Sequence, residues 1–207
     1  NTMMAGAAYN AVDPEAQATM KLTKAQKSSM DSYLALDPAD PSLKFDRYPE
    51  WKPVLDQLKA DIRAFYAANQ SKTLGVDMPS FDAISLHMWH IYTGGLRKMD
   101  DGSWIAPRID LARKLAESAL DSLKWMDSIG LKAQYGSTSR YGGATGLSTV
   151  LGAMWPRTHS FMSGADRIPQ LEKKAVEFGV KIYTETRGTE LIAGANGRVV
   201  GAKAVQT

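Results

Sequence analysis

Residues 165–205, "ADRIPQLEKKAVEFGVKIYTETRGTELIAGANGRVVGAKAV", decide the fold class. Their first third sets Leu171, Ala175 and Phe178 at the spacing of one helical face, and Gly179 supplies a stop. "VKIYTET" then reads as a strand, and "TELIAGANGRVVGAKAV" is a pair of alternating runs around Asn196-Gly197, the signal of a β-hairpin. Helix, strand and hairpin in succession predict an α/β domain, or α+β if the chain is a fragment.

Upstream the texture is helical. "YPEWKPVLDQLKADIRAFYAANQ" spaces Trp51, Val54, Leu55, Leu58, Ile62, Phe65 and Tyr66 on one stripe, so an amphipathic helix is expected there. "RIDLARKLAESALDSLKWMDSIG" predicts another, with Leu111, Leu115, Ala119, Leu123 and Met126 inward and Gly130 at its end. Between them, Ser80 is the expected N-cap of "PSFDAISLHMWHIYTGG", Gly94-Gly95 its stop, and "MDDGSW" a tight turn. Nearer the start, Thr23 and Gln26 have the spacing of a capping box, and Asp37-Pro38 and Asp40-Pro41 read as breaks.

Residues 134–164 differ from all of this. "YGSTSRYGGATGLSTVLGAMWPRTHSFMSG" is rich in Gly and hydroxyls with no sustained period, and its aromatic residues argue against disorder. Ligand contact is the expectation. Arg157 and His159 in "WPRTHSFMSG" are candidates for touching an anion or a polar ring, against the plainer reading of a loop salt bridge. His87 and His90, three apart on a probable helix, would share a face, but a third ligand is lacking and Met88 and Trp89 favour a packed helix over a metal site. No G-x-S-x-G elbow, P-loop or dinucleotide fingerprint is present.

Composition removes further classes. The 207 residues carry 25 Lys and Arg against 22 Asp and Glu, interspersed, so no basic stripe for nucleic acid is expected. The absence of Cys excludes disulfides, thiolate metal sites and a Cys nucleophile. No run approaches a membrane span and no signal peptide is seen, which predicts a soluble piece, cytoplasmic or exported.

The blocks "NTMMAGAAYNAVDPEAQ", "ALDSLKWMDSIGL", "YGGATG…WPRTHSFMSGAD", "IPQLEKKAVEFGVKIYTET" and "TELIAGANGRVVGAKA", taken in order, resemble the flavoprotein subunit family of fumarate reductase and succinate dehydrogenase. Within it they are most similar to the soluble flavocytochrome c and urocanate reductase-like branch. The resemblance implies that residues 1–207 are an internal fragment of one Rossmann-like FAD-binding domain, with residues 22–104 a helical insertion. It also implies that Asn1, Thr2, Ala7 and Ala8 lie against the isoalloxazine and ribityl chain, and that the backbone at Thr189 meets the adenine. Asn1 stands where membrane-bound relatives carry the His that bonds to flavin, so a non-covalent FAD is implied.

The activity so implied is hydride transfer from flavin N5 to the C=C of an unsaturated carboxylate, a dicarboxylate or a related small molecule. An FMN or haem electron-donor domain would accompany it in the full-length enzyme. The pyrophosphate loop is expected upstream of Asn1 and the substrate residues downstream of Thr207, so the fragment alone should be inactive and could pair into a rearranged dimer. Two rivals stand beside this. One is a flavin-dependent dehydrogenase of another substrate, such as a ketosteroid; the other is a non-enzymatic interaction module built on the helices around Trp51 and Leu115.

Overall fold

A computed structural model describes residues 8–131, 147–148, 155, 157–160 and 164–206. It is a mixed structure of helices and small antiparallel sheets. In chain order the helices are α1 (Pro14–Ala18), α2 (Lys24–Ala35), α3 (Lys52–Ala68), α4 (Ile84–Gly95), α5 (Ile109–Ser128) and α6 (Gly164–Glu177). The strands are β1 (Ala8–Asn10), β2 (Arg97–Lys98), β3 (Trp104–Ile105), β4 (Leu147–Ser148), β5 (Thr158–Ser160), β6 (Thr186–Ala193) and β7 (Val199–Gln206).

Local chemistry explains the helical starts. Asp13 caps α1, and Thr23 caps α2 through the full reciprocal box, its Oγ1 accepting from Gln26 N while Gln26 Oε1 accepts from Thr23 N. The expected cap at Ser80 does not form. Leu22 N donates to Met78 O and Ser80 N to Met20 O, and this pairing holds the chain extended past Ser80, so α4 begins at Ile84 after Ala83.

The expected stripe of α3 is inside: Trp51, Val54, Leu55, Leu58 and Ile62 are buried, with Phe65 and Tyr66 packed beside them. They meet Leu86, Met88, Trp89 and Tyr92 of α4 in one core that also takes in Leu22, Met30, Ala112, Ala116 and Trp155. Residues 22–104 therefore share their core with α5 and with the segment before β5. Trp51 stacks on Tyr92 with centroids 4.7 Å apart. Both polar tips are satisfied, Trp51 Nε1 donating to Pro107 O and Tyr92 Oη to Leu43 O.

Helix α5 keeps the second half of the expected face, with Ala119 and Leu123 buried and Met126 packed against Leu123, but its first half turns by one residue. Ala112, Ala116, Ala119 and Leu123 are inside, while Leu111 and Leu115 are 60% and 57% exposed. The end of α4 lies close to the segment before α5, where a Cβ on Gly95 would lie 2.3 Å from Pro107 Cγ. At the far end, Tyr9 of β1 packs with Leu123 and donates to Ala119 O.

Strand β5 is the middle of a three-stranded antiparallel sheet ordered β1-β5-β4, with Tyr9 opposite His159 and Asn10 opposite Thr158. Strands β2 and β3 close the expected turn at "MDDGSW". The C-terminal hairpin is present as β6 and β7, and Gly197 in its loop takes φ +75°. "VKIYTET", expected as a strand, enters β6 only at Thr186. Residues 180–183 pair with no strand among those described, and Phe178, expected inward from α6, is 68% exposed; Leu171 and Ala175 are half-buried. An apolar, β-branched run gains little from extension without a neighbouring surface to pack on.

Candidate functional site

The residues of "WPRTHS" that the sequence marks for binding are drawn into the protein. Arg157 precedes β5, and its guanidinium meets Asp82 in a two-pronged ion pair: Nε to Oδ2 at 2.9 Å and Nη2 to Oδ1 at 2.5 Å. The two side chains are 8% and 1% exposed. Nη1 lies 3.1 Å from His90 Nδ1. A guanidinium only donates, so Nδ1 is the accepting nitrogen of His90 and the proton sits on Nε2, which donates to Tyr33 Oη at 3.2 Å. Trp155 lies against this group, its ring 6.0 Å from that of His90.

Every nitrogen of the Arg157 fork is thus used inside the fold. The salt-bridge reading of Arg157 is the one the structure shows, although the partner comes from the start of α4 and not from the loop. The cluster is close to neutral. Burial, then the Arg157 charge, pushes His87 down to about 4, and the same causes with a contribution from His87 push His90 down to about 3. Burial pushes the Asp82 carboxyl up against the pull of Arg157. His90 has both ring nitrogens engaged, which leaves it no lone pair for a metal.

A second group of contacts is made by β5 itself. His159, fully buried, pairs through Nε2 with Asp13 Oδ2 at 3.0 Å, and Thr158 Oγ1 donates to Asn10 Oδ1 at 2.7 Å. Ala11 N donates to Arg157 O at 3.1 Å. Together these side chains join the exit of β1 to β5, and Arg157 joins both to α4. Sequence reading singled out Arg157 and His159, and His90 only as one of a histidine pair weighed for metal, but not Asp82, Tyr33 or Asp13. The available signal was charge: a buried Arg needs a carboxylate, and Asp82 and Asp13 both stand at helix starts.

Of the residues expected at a flavin, Asn1, Thr2 and Ala7 lie outside the described residues. Ala8 opens β1, opposite Ser160 of β5. Thr189 lies in β6 where the register slips, with Gly188 opposite Ala204 and Glu190 opposite Lys203. It is the extra residue of a bulge, and its Oγ1 donates to Lys203 O.

The chain is 26% identical over 208 residues to an NADH:acrylate oxidoreductase of Vibrio harveyi, a match that covers all of this chain and 19% of that protein. The chain thus spans about a fifth of the length of the curated relative it matches. No family model matches, and no solved structure matches. Among the described residues no helix is long and apolar enough to cross a membrane.

Proposed function

We propose that this chain is part of the cofactor cradle of an FAD-dependent oxidoreductase that reduces the C=C of an unsaturated carboxylate. The observation that carries the reading is the match along the whole chain to an oxidoreductase whose named substrate, acrylate, is such a compound. The order of sequence blocks that resembles the fumarate reductase flavoproteins supports it, and the proposal sets the small sheet and C-terminal hairpin in a Rossmann-like domain.

One feature of the fold fits the cofactor. Thr189 is the extra residue of a bulge, with no opposite partner in its ladder, and in the proposed role its backbone meets the adenine. In the proposed role Asn1, Thr2, Ala7 and Ala8 admit the ring and the ribityl chain, and Asn1 leaves the flavin non-covalent. When bound, the flavin supplies the hydride chemistry; the residues of this chain orient it and exclude water. Arg157 and His159 are committed to Asp82, His90 and Asp13, so they act on the cradle's shape and not on the substrate. An FMN or haem electron donor belongs to the same proposal.

The interaction-module alternative loses its first surface, because the Trp51 stripe is core. The test is acid precipitation of the full-length protein followed by visible absorbance. A yellow supernatant supports non-covalent flavin. A yellow pellet overturns the role of Asn1, and colourless fractions that stay so after FAD is added overturn the flavoprotein reading.

A further inference from the structure

We propose that Asp82 is a positioning residue for the cofactor cradle: from the helical segment 22–104 it pins Arg157, and through Arg157 the pairing of β1 with β5. The inference rests on the flavoprotein reading above and gives that helical segment a role in it.

The strands concerned are very short. β1 and β5 have three residues each and β4 has two, too few for backbone pairing alone to fix a register. A slip of one residue would turn every side chain of β1 to the opposite face. Side chains must therefore set the register. Asn10 with Thr158 and Asp13 with His159 join β1 to β5, and Tyr9 ties β1 to α5 by donating to Ala119 O, but none of these contacts reaches α4.

Arg157 does. Its carbonyl takes the Ala11 amide, and its side chain reaches 75 residues back to Asp82, whose own Oδ1 also accepts from Ala83 N at the start of α4. The α4 end is in turn fixed by the core, since Leu86, Met88, Trp89 and Tyr92 are all buried. A two-pronged guanidinium–carboxylate pair specifies direction as well as distance. A buried pair of this kind contributes little net stability, which suits a device whose value is geometry.

The experiment uses the full-length protein loaded with FAD. Asp82→Asn keeps the shape and removes the charge; Leu58→Ala, in the buried stripe of α3, is the control for lost stability. For Asp82→Asn, FAD affinity is expected to fall on the order of tenfold and the bound-flavin absorption band to shift, with amide exchange at Ala11 accelerated. Leu58→Ala should leave affinity and band unchanged. If Asp82→Asn proves too unstable to purify, the double variant Asp82→Asn/Arg157→Gln removes both charges and is expected to show the same loss of affinity.

Unchanged exchange at Ala11 would overturn the pin. Accelerated exchange with unchanged FAD affinity would overturn its role in the cradle. A wild-type protein that takes up no FAD would overturn the flavoprotein reading and the cradle role with it, while exchange at Ala11 would still show whether Asp82 holds the strands.

Discussion

His159 Nε2 lies 3.0 Å from Asp13 Oδ2, joining two residues 146 positions apart in the chain. Asp13 has a second task, accepting from Ala16 N as the cap of α1. Burial raises its carboxyl, but the hydrogen bonds from His159 and Ala16 outweigh that and hold it below the ordinary range.

Asp13→Ala should therefore cost more than a cap alone. It removes the cap and takes the carboxylate from a fully buried imidazole, for an expected loss of about 2–4 kcal/mol. Asp13→Asn, which can still cap, should cost about 1 kcal/mol. Urea midpoints of the two variants check this; an unchanged midpoint in Asp13→Asn beside a loss of only about 1 kcal/mol in Asp13→Ala would show that the His159 contact contributes nothing.

Acid should weaken the fold from the α4 side. His87 and His90 titrate near 4 and 3 when folded but near the ordinary histidine value of about 6.5 when unfolded. The unfolded chain then binds more protons below that value, so stability falls as pH drops from about 6.5 toward 5, by up to about 1.4 kcal/mol per pH unit for each ring. The raised Asp82 carboxyl works in the opposite sense, at pH values nearer the carboxylate range. Denaturant midpoints at pH 7.5, 6 and 5 for the wild type and His87→Gln test it; a slope unchanged by His87→Gln would exclude His87 as a source.

The two faces of α5 should respond differently. Ala116 is 1% exposed against the core, so Ala116→Leu should overpack it and cost about 1–3 kcal/mol. Leu115→Lys, on the exposed face, should change stability by less than about 0.5 kcal/mol. Thermal melts of both variants decide it, and the reverse order would restore the face expected from sequence.

Gly94 and Gly95 look alike in sequence and should behave oppositely. A Cβ at Gly95 would collide with the Pro107 ring, so Gly95→Ala should cost about 1–3 kcal/mol. A Cβ at Gly94 meets nothing within 4 Å, and Gly94→Ala should stabilise the helix by up to about 1 kcal/mol. Calorimetry of the pair checks the close approach of α4 to the segment before α5.

The sequence by itself determined the elements whose signal is local. The capping box at Thr23 and Gln26 is satisfied by atoms three residues apart, and the stripe from Trp51 to Ile62 repeats at the helical period, so neither needed knowledge of a partner. The hairpin around Asn196-Gly197 was legible for the same reason, since Gly197 at φ +75° serves the turn directly. Tertiary structure decided the rest. In the first half of α5 it was packing that put Ala112 and Ala116 in the core and left Leu111 and Leu115 outside. The start of α4 depended on a strand-like pairing with residues near Met20, which overrode the Ser80 cap. The pairing of Arg157 with Asp82 spans 75 positions, and no local pattern encodes it: a buried guanidinium demands a carboxylate, but only the packed fold chose which one.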